Sequence, residues 1–543
     1  MKSLVSVLSI IALGVGLLSC SGGGGSGGGG GATFAITTTA APFGVVGNAY
    51  SATLVTTGGT APLTWILVGG VLPTGLSLNA GTGVVSGTPT AAGNSTVTFT
   101  VTDSTGKTAT GSVLFAVHPR TDLVSVDSNG TAGDGVSSAP SINSDGSLVA
   151  FVSQSANFVA TVVGTQIYVH NRQTNQIELI SRDNSVSVVN EGNGVSSAPA
   201  ISADGRFVAF VSQSTNLVTG VIVAPQIYLR DRQTGHTTLV SKSTSGLTSS
   251  GLVNSSPAIS SDGQFIAFVS NAINLVTGVS GTQIYLHDTQ VSGLFPNGQT
   301  ILISKDNVLP TPGNGISATP SISSDGCFVA FESASANLGA PPNQIHIRGP
   351  LAIAGCAGIE QTTLVSKDNL GAPASAGSTS RRPSVSGNGR FITFVSDATN
   401  LGATGTQVYL HDTQVSGLFL NGQTILISKD NIIPTSGDGI SATPSISSDG
   451  CFVAFESASA NLGAPPNQIH VRGPLAIAGC AGTEQTTLVS KDNLGAPANG
   501  VGPTATVDPS ASGNGQFIAF SSSSTNLISP PPGNRQIYVR AMP

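Results

Sequence analysis

A two-residue turn signal, Asp-Gly or Asn-Gly, recurs seven times in this chain. The copies are Asp145-Gly146, Asp204-Gly205, Asp262-Gly263, Asp325-Gly326, Asn388-Gly389, Asp449-Gly450 and Asn514-Gly515, with gaps of 59, 58, 63, 63, 61 and 65 residues. Such a pair tolerates the positive φ angles that a two-residue hairpin demands, so each copy should join two antiparallel strands. The flanks agree. A proline-led strand such as "PSIS" precedes the turn, and an apolar strand such as "FVAFVS" follows it, with phenylalanine at 151, 210, 268, 331, 394, 455 and 520. A third strand reads "QIYVHN", "QIYLRD" or "QIHIRG", and a fourth "TTLVSK" or "TILISK".

Four short strands per period of about 60 residues is the arithmetic of a β-propeller blade. The last unit ends at "RQIYVRAMP" without a fourth strand, while the repeat region opens with an orphan "TDLVSV" at Thr121 to Val126. An open ring would leave unpaired edges, and docking the orphan onto the last blade removes them. The expectation is a seven-bladed propeller over 120–543, closed by its own N-terminal strand. The proline-led strand, the Ser-x-Asp-Gly turn and the apolar strand ending near Ala-Phe resemble TolB-type propeller repeats, whose best-known members have six blades rather than seven. The stretch "PSISSDGCFVAFESASANL" occurs unchanged at 320–338 and 444–462, 124 positions apart. It reads as a copied two-blade unit, hence as ancestry and not as a paired catalytic site.

The 543 residues exceed what one hydrophobic core supports, so more than one domain is expected. Charged residues make up 8%, and Gly, Ser, Thr and Asn separate short Val, Ile and Phe runs, an all-β composition. Residues 32–119 show strands such as "STVTFTVT" between Gly, Pro and Asn turns, the punctuation of a β-sandwich. The signature "GGTAPLTW…LPTGLSLNAGTGVVSGTPTAAG" resembles the immunoglobulin-like domain of bacterial surface proteins, within the cadherin-like superfamily. That resemblance implies calcium as a cofactor to be considered. Calcium takes six to eight oxygens, and Asp103 is the one acid between Ala32 and His118, so Asp103 is a weak calcium candidate and the better reading caps the turn "DSTG". Trp65, the single tryptophan, sits inside "LTWIL" and reads as core rather than as a sugar-stacking platform.

Residues 1–19 carry Lys2 and an apolar run from Leu4 to Leu18, shorter than the roughly 20 residues a membrane span needs. Leu17-Leu18-Ser19-Cys20 resembles a bacterial lipobox, which implies signal cleavage before Cys20, acylation of its sulfur with palmitate-type chains, and a membrane partner. Ser21, in place of aspartate, resembles the outer-membrane-sorted kind. Residues 20–31 comprise the lipidated Cys20 and, from Ser21 to Gly31, "SGGGGSGGGGG", a flexible tether spanning about 18 Å. The net charge of −6 comes without a basic block, which argues against a nucleic-acid partner.

Cys327 and Cys356, and Cys451 and Cys480, are each 29 positions apart within the copied blades. In an exported protein they read as two intrablade disulfides, with a metal site disfavoured by the lack of any C-x-x-C knuckle. His170, His287, His346, His411 and His470 fall on third strands, where Arg230 and Arg540 hold an equivalent place, so repeat position explains them better than catalysis does. Departures from the repeat are more telling. Arg381 and Arg382 stand just before an innermost strand where neighbours have Ala-Thr, while Glu332, Glu456 and Asp397 lie at or after the ends of second strands. One face should therefore hold a charged patch at the channel mouth that receives an anionic or polar ligand through arginine geometry, or else pairs internally between blades. Residues and architecture together suggest a non-enzymatic, outer-membrane-anchored scaffold that presents the propeller to a protein or glycan. The alternatives are a polysaccharide lyase or hydrolase and calcium-dependent adhesion.

Overall fold

Alternating apolar positions make the N-terminal sheets. In this computed structural model, which describes residues 33–542 apart from 160–161, 163, 186–189, 222–224, 291–297, 309–310, 352–355, 415–421, 433–434, 476–479 and 501–505, the leader, Cys20 and the tether lie outside the described residues. One sheet orders Gly44–Val45, Thr108–His118, Gly93–Thr102 and Thr64–Gly69, and faces a second of Tyr50–Thr53, Val84–Gly87 and Leu76–Asn79. Val97, Phe99, Val101, Val113, Phe115 and Val85 fill the space between, with Trp65 at 2% exposure. Gly83 adopts φ +68°, and a β-carbon there would come within 2.7 Å of the Trp65 indole. Trp65 is therefore a core residue, as its flanks suggested.

Seven four-stranded antiparallel sheets follow. The first contains Ser137–Ile142, Leu148–Ser153, Gln166–Asn171 and Gln176–Leu179, innermost strand first. Each innermost strand begins about three residues earlier than the "PSIS" motif suggests, so Arg381 and Arg382 lie within theirs, Ser380–Val385, and not before it. The last sheet combines Thr506–Ala511, Phe517–Ser522 and Gln536–Ala541 with Thr121–Leu123 at its outer edge, Thr121 opposite Arg540 and Leu123 opposite Tyr538. The closing strand is shorter than expected: Val124 still donates its amide to Ile537, but Val126 turns to bridge Ala132.

Three layers of interaction shut the ring. Phe151 stacks on Tyr168 within blade 1, and the same pair recurs in the other blades, with histidine for tyrosine in blades 4 and 6. Buried clusters straddle every seam, including that between blades 7 and 1, where Val149 and Phe151 pack with Ala519, Ile537 and Val539. Around the axis, the amides of Ser144, Ala203, Ser261, Ser324, Gly387 and Ser448 each donate to the carbonyl of the next blade's equivalent residue, and Asn514 returns to Ser144 at 3.2 Å. At the rim, the "SKDN" turn of one blade grips the outermost strand of the next. The Thr362 amide donates to Asn307 Oδ1 at 2.5 Å and its hydroxyl to the Lys305 carbonyl at 2.7 Å. Thr237, Thr424 and Thr486 are held in the same way. Thr121 of the closing strand receives this grip from blade 6, through Asn493 Oδ1 at 2.7 Å and the Lys491 carbonyl at 2.8 Å.

Candidate functional site

The channel mouth is built by a bulge repeated in every innermost strand. In blade 1, Ser138 pairs with Val152 and Ser141 with Ala150, so two residues, Ala139 and Pro140, oppose one. Proline has no amide to leave unpaired there. The residue before it takes a left-handed backbone, at Ala139, Ala198, Ser256, Thr319, Arg382, Thr443 and Asp508, with φ between 44° and 58°. Six of these positions, all but Ala198, and seven prolines line an open funnel of about 410 Å³. Toward the other end the channel narrows to about 130 Å³, walled by Ile142, Ile201, Ile259, Ile322, Val385 and the small residues of the amide ring.

The five patch residues expected from the sequence divide. Arg382 lines the funnel and is exposed. Arg381 faces away: its guanidinium donates to the Thr379 hydroxyl at 3.0 Å, and Thr379 donates its amide to Asp397 at 2.7 Å. Glu332 and Glu456 lie behind the wall and reach into the next blade. Glu332 Oε2 accepts the Arg382 amide at 3.4 Å, and Glu456 Oε1 the Asp508 amide at 2.9 Å. Burial pushes the Glu456 carboxyl up, against the pull of Thr443, the Asp508 amide and the Arg382 charge. Consecutive arginines at a bulge diverge, so the two do not form one clamp. Neither makes an ion pair among the described residues. The second charge in the funnel is Asp508, which sequence reasoning missed; the signal was "VDPSAS", whose Asp-Pro aligns with Arg382-Pro383.

The histidines form two sets, which corrects the single set expected. His170, His287 and His411 occupy the fifth position of their third strands, as do Arg230 and Arg540. His346 and His470 occupy the third, in the place of tyrosine, stacked on Phe331 and Phe455 at 5.9 and 5.8 Å. Nδ1 of His287 and His411 meets the hydroxyls of Thr300 and Thr424 at 2.8 and 2.9 Å. Burial holds His287 and His411 down to about 3 and His346 and His470 to about 4. Disulfides join Cys327 to Cys356 and Cys451 to Cys480, each with Cα atoms 5.7 Å apart. In the sandwich, Asp103 Oδ1 caps the turn, accepting from the Thr105 hydroxyl and the amides of Thr105 and Lys107, while its Oδ2 accepts the Thr60 amide from another segment. The Thr105 hydroxyl first, then these amides, hold its carboxyl at about 2, with burial opposing. Among the described residues no group of three or more His, Cys, Asp or Glu is placed to hold a metal ion.

The outer rim carries a further pattern. The turns that leave the fourth strands of blades 2 to 6 each raise one aliphatic side chain: Leu247, Val308, Leu370, Ile432 and Leu494, exposed by 61%, 88%, 88%, 90% and 67%. Each tip is enclosed by a bridge, such as Lys305 with Pro312 or Lys367 with Pro373. The last of these turns meets the entering chain: Asn493, next to Leu494, accepts the Thr121 amide through Oδ1 at 2.7 Å.

Residues 32–118 match the family described as "Putative Ig domain", so this segment is an Ig-like domain, and seven four-stranded sheets follow it. No curated protein matches the chain. Solved structures similar to it include a prolyl endopeptidase (12% identity, 75% of this chain and 50% of that one, TM-score 0.43). Others are a "putative TolB" from Agrobacterium tumefaciens (19%, 53% and 83%, TM-score 0.30) and an acylaminoacyl peptidase from Pyrococcus horikoshii (13%, 71% and 49%, TM-score 0.39). The chain spans about half the length of these peptidases.

Proposed function

We propose that this protein is a non-enzymatic scaffold of the cell envelope, anchored in the outer membrane through lipidated Cys20, that presents one propeller face to a protein or glycan partner. The carrying observation is the ring of aliphatic tips at the outer rim of blades 2 to 6. Single exposed aliphatics are ordinary on a soluble surface. Five at the same place in five successive blades form one surface, on loops held by a rigid ring. Support for a binding role also comes from the side chains that could do chemistry. The third-strand histidines are buried in packing, and Glu332 and Glu456 hold backbone amides of the next blade.

The test compares the chain from residue 32 onward with a variant in which Leu247, Val308, Leu370, Ile432 and Leu494 are all aspartate. Binding to outer-membrane and cell-wall fractions and to a glycan array is measured for both. At least a tenfold loss of the bound species in the variant is expected. Equal binding by both proteins would remove this face from the function, and turnover of a polysaccharide by the unaltered protein would end the non-enzymatic reading.

A further inference from the structure

Two opposite charges stand in the funnel, at a place where the repeat is otherwise neutral. The residue before the bulge proline is alanine, serine or threonine in five blades, but Arg382 in blade 5 and Asp508 in blade 7. The ring does not ask for arginine there. Its φ is 54°, a left-handed backbone that a bulky side chain rarely adopts and that Ser256 or Thr319 supplies in other blades. The Arg382 side chain is exposed in the funnel, and Asp508 lines the same space half-buried, its Oδ2 accepting the Ser521 hydroxyl at 3.4 Å. Among the described residues neither enters an ion pair, with the other or with any third group.

Both positions are held from behind by the same device. Glu332 of blade 4 accepts the Arg382 amide, and Glu456 of blade 6 accepts the Asp508 amide. Blades 1, 2, 3 and 5 have valine in the place of these glutamates, and blade 7 has serine. The two blades that carry a glutamate are thus the two followed by a charged funnel residue. Each charge hangs from a backbone fixed before any ligand arrives, which lowers the ordering cost of binding.

A ligand that fits must bring an anion to Arg382, a cation to Asp508, and a neutral body to lie against seven prolines, whose rings offer apolar surface and no amide donor. The space of about 410 Å³ suits a small molecule, and the channel beyond it narrows to about 130 Å³. We infer that the funnel binds a short peptide with both ends free, its carboxylate on the Arg382 guanidinium and its ammonium against the Asp508 carboxylate. Guanidinium takes carboxylate through paired hydrogen bonds, and an ammonium brings three donors to a carboxylate that has acceptor sites to spare.

Calorimetric titration of the folded chain with dialanine, trialanine and tetraalanine, and with each peptide N-acetylated or C-amidated, tests the site. At least one free peptide is expected to bind, and blocking either of its ends should weaken it at least tenfold. Arg382→Ser and Asp508→Ala install residues that other blades carry at the same place, so the urea midpoint of the propeller should not move while each variant loses at least tenfold in affinity. Each variant should also lose one discrimination: Arg382→Ser should bind the free and C-amidated peptides alike, and Asp508→Ala the free and N-acetylated ones. Damage to the fold would not divide the two ends in this way. No binding of any free peptide, equal binding of the blocked ones by the parent chain, or parental affinity in both variants would overturn the assignment.

Discussion

Thr121→Val should weaken the propeller by removing one oxygen atom at the point of ring closure. The Thr121 side chain is 1% exposed, and valine keeps its shape. Its hydroxyl donates to the Lys491 carbonyl at 2.8 Å and accepts from Arg540 Nη1 at 2.6 Å. A neutral hydrogen bond contributes about 1 kcal/mol net and one to a charged group about 1.5–3. Arg540 retains the Lys491 and Asp492 carbonyls at 2.9 and 3.2 Å, which limits the loss to about 2–3 kcal/mol. With a denaturant slope of about 3 kcal/mol per molar or more for a domain of this size, the urea midpoint should fall by somewhat under 1 M. The assay can separate the domains, because Trp65 reports the sandwich alone while five of the six tyrosines belong to the propeller. The near-ultraviolet tyrosine signal should shift and tryptophan fluorescence should not. Thr362→Val removes the same two bonds within a blade whose four strands are consecutive in sequence, with Arg348 Nη1 at 2.6 Å and the Lys305 carbonyl at 2.7 Å. If Thr362→Val shows the loss while Thr121→Val stays within about 0.5 kcal/mol of the parent, the closing strand is not what holds the ring.

Replacing Cys327 and Cys356 by serine should cost the propeller about 3.6 kcal/mol in the loop-entropy model, read as a lower urea midpoint in the tyrosine signal. The same change at Cys451 and Cys480 should cost as much, since both loops span 29 positions. Acid should weaken the propeller first. His287 and His411, held near 3, and His346 and His470, held near 4, stay neutral in the fold but take a proton near 6.5 once unfolded, so stability falls as pH drops below about 6.5. At pH 5 the loss is about 2 kcal/mol for each, and His287→Gln with His411→Gln should flatten the pH dependence of the tyrosine midpoint. In the sandwich, the lowered Asp103 pKa contributes stability that is present above about 4 and lost as pH falls through about 2, so the Trp65 transition should hold between pH 6.5 and 4. Asp103→Asn should lower that transition at pH 7.

The ring was legible because its determinants are local and repeated. The Asp-Gly turns, the phenylalanines after them and the orphan strand at Thr121 all lie in short motifs whose spacing survives without a structure. The seam contacts were not legible, although their residues were in view. Asn307 reads as one more turn residue of "SKDN", and nothing local says that its side chain holds Thr362, 55 positions away, in the next blade. Position along the strand misled the reading of histidine. "QIHIRG" and "QIYVHN" both carry one His, two places apart on the same face of the strand, so one sits level with a phenylalanine and stacks on it while the other sits level with the start of the fourth strand. The patch failed because Arg381 and Arg382 lie within one strand, where adjacent side chains point to opposite sides, so only Arg382 reaches the funnel. Single aliphatics such as Leu370 and Ile432 look like the first residues of a strand until the bridge around each turn leaves them at its tip.

Repetition also indicates where function can reside. A side chain that recurs in every blade is under the same geometric demand in every blade, and here that demand is met by the ring itself: threonine in the rim grip, serine and glycine in the axial amide ring, phenylalanine between sheets. Chemistry specific to one ligand needs a position released from that demand. Arg382 and Asp508 are such positions, because the bulge needs only a left-handed residue before proline: the Arg382 side chain is exposed in the funnel, and Asp508 lines it while accepting the Ser521 hydroxyl at 3.4 Å. Substitutions at these departures should therefore change binding with little effect on either unfolding transition, while substitutions at the repeated positions should do the reverse. Paired measurement of ligand affinity and urea midpoint at Arg382, Asp508, Thr121 and Thr362 separates the two classes. A loss of both at Arg382 would mean that the funnel charges serve the ring after all.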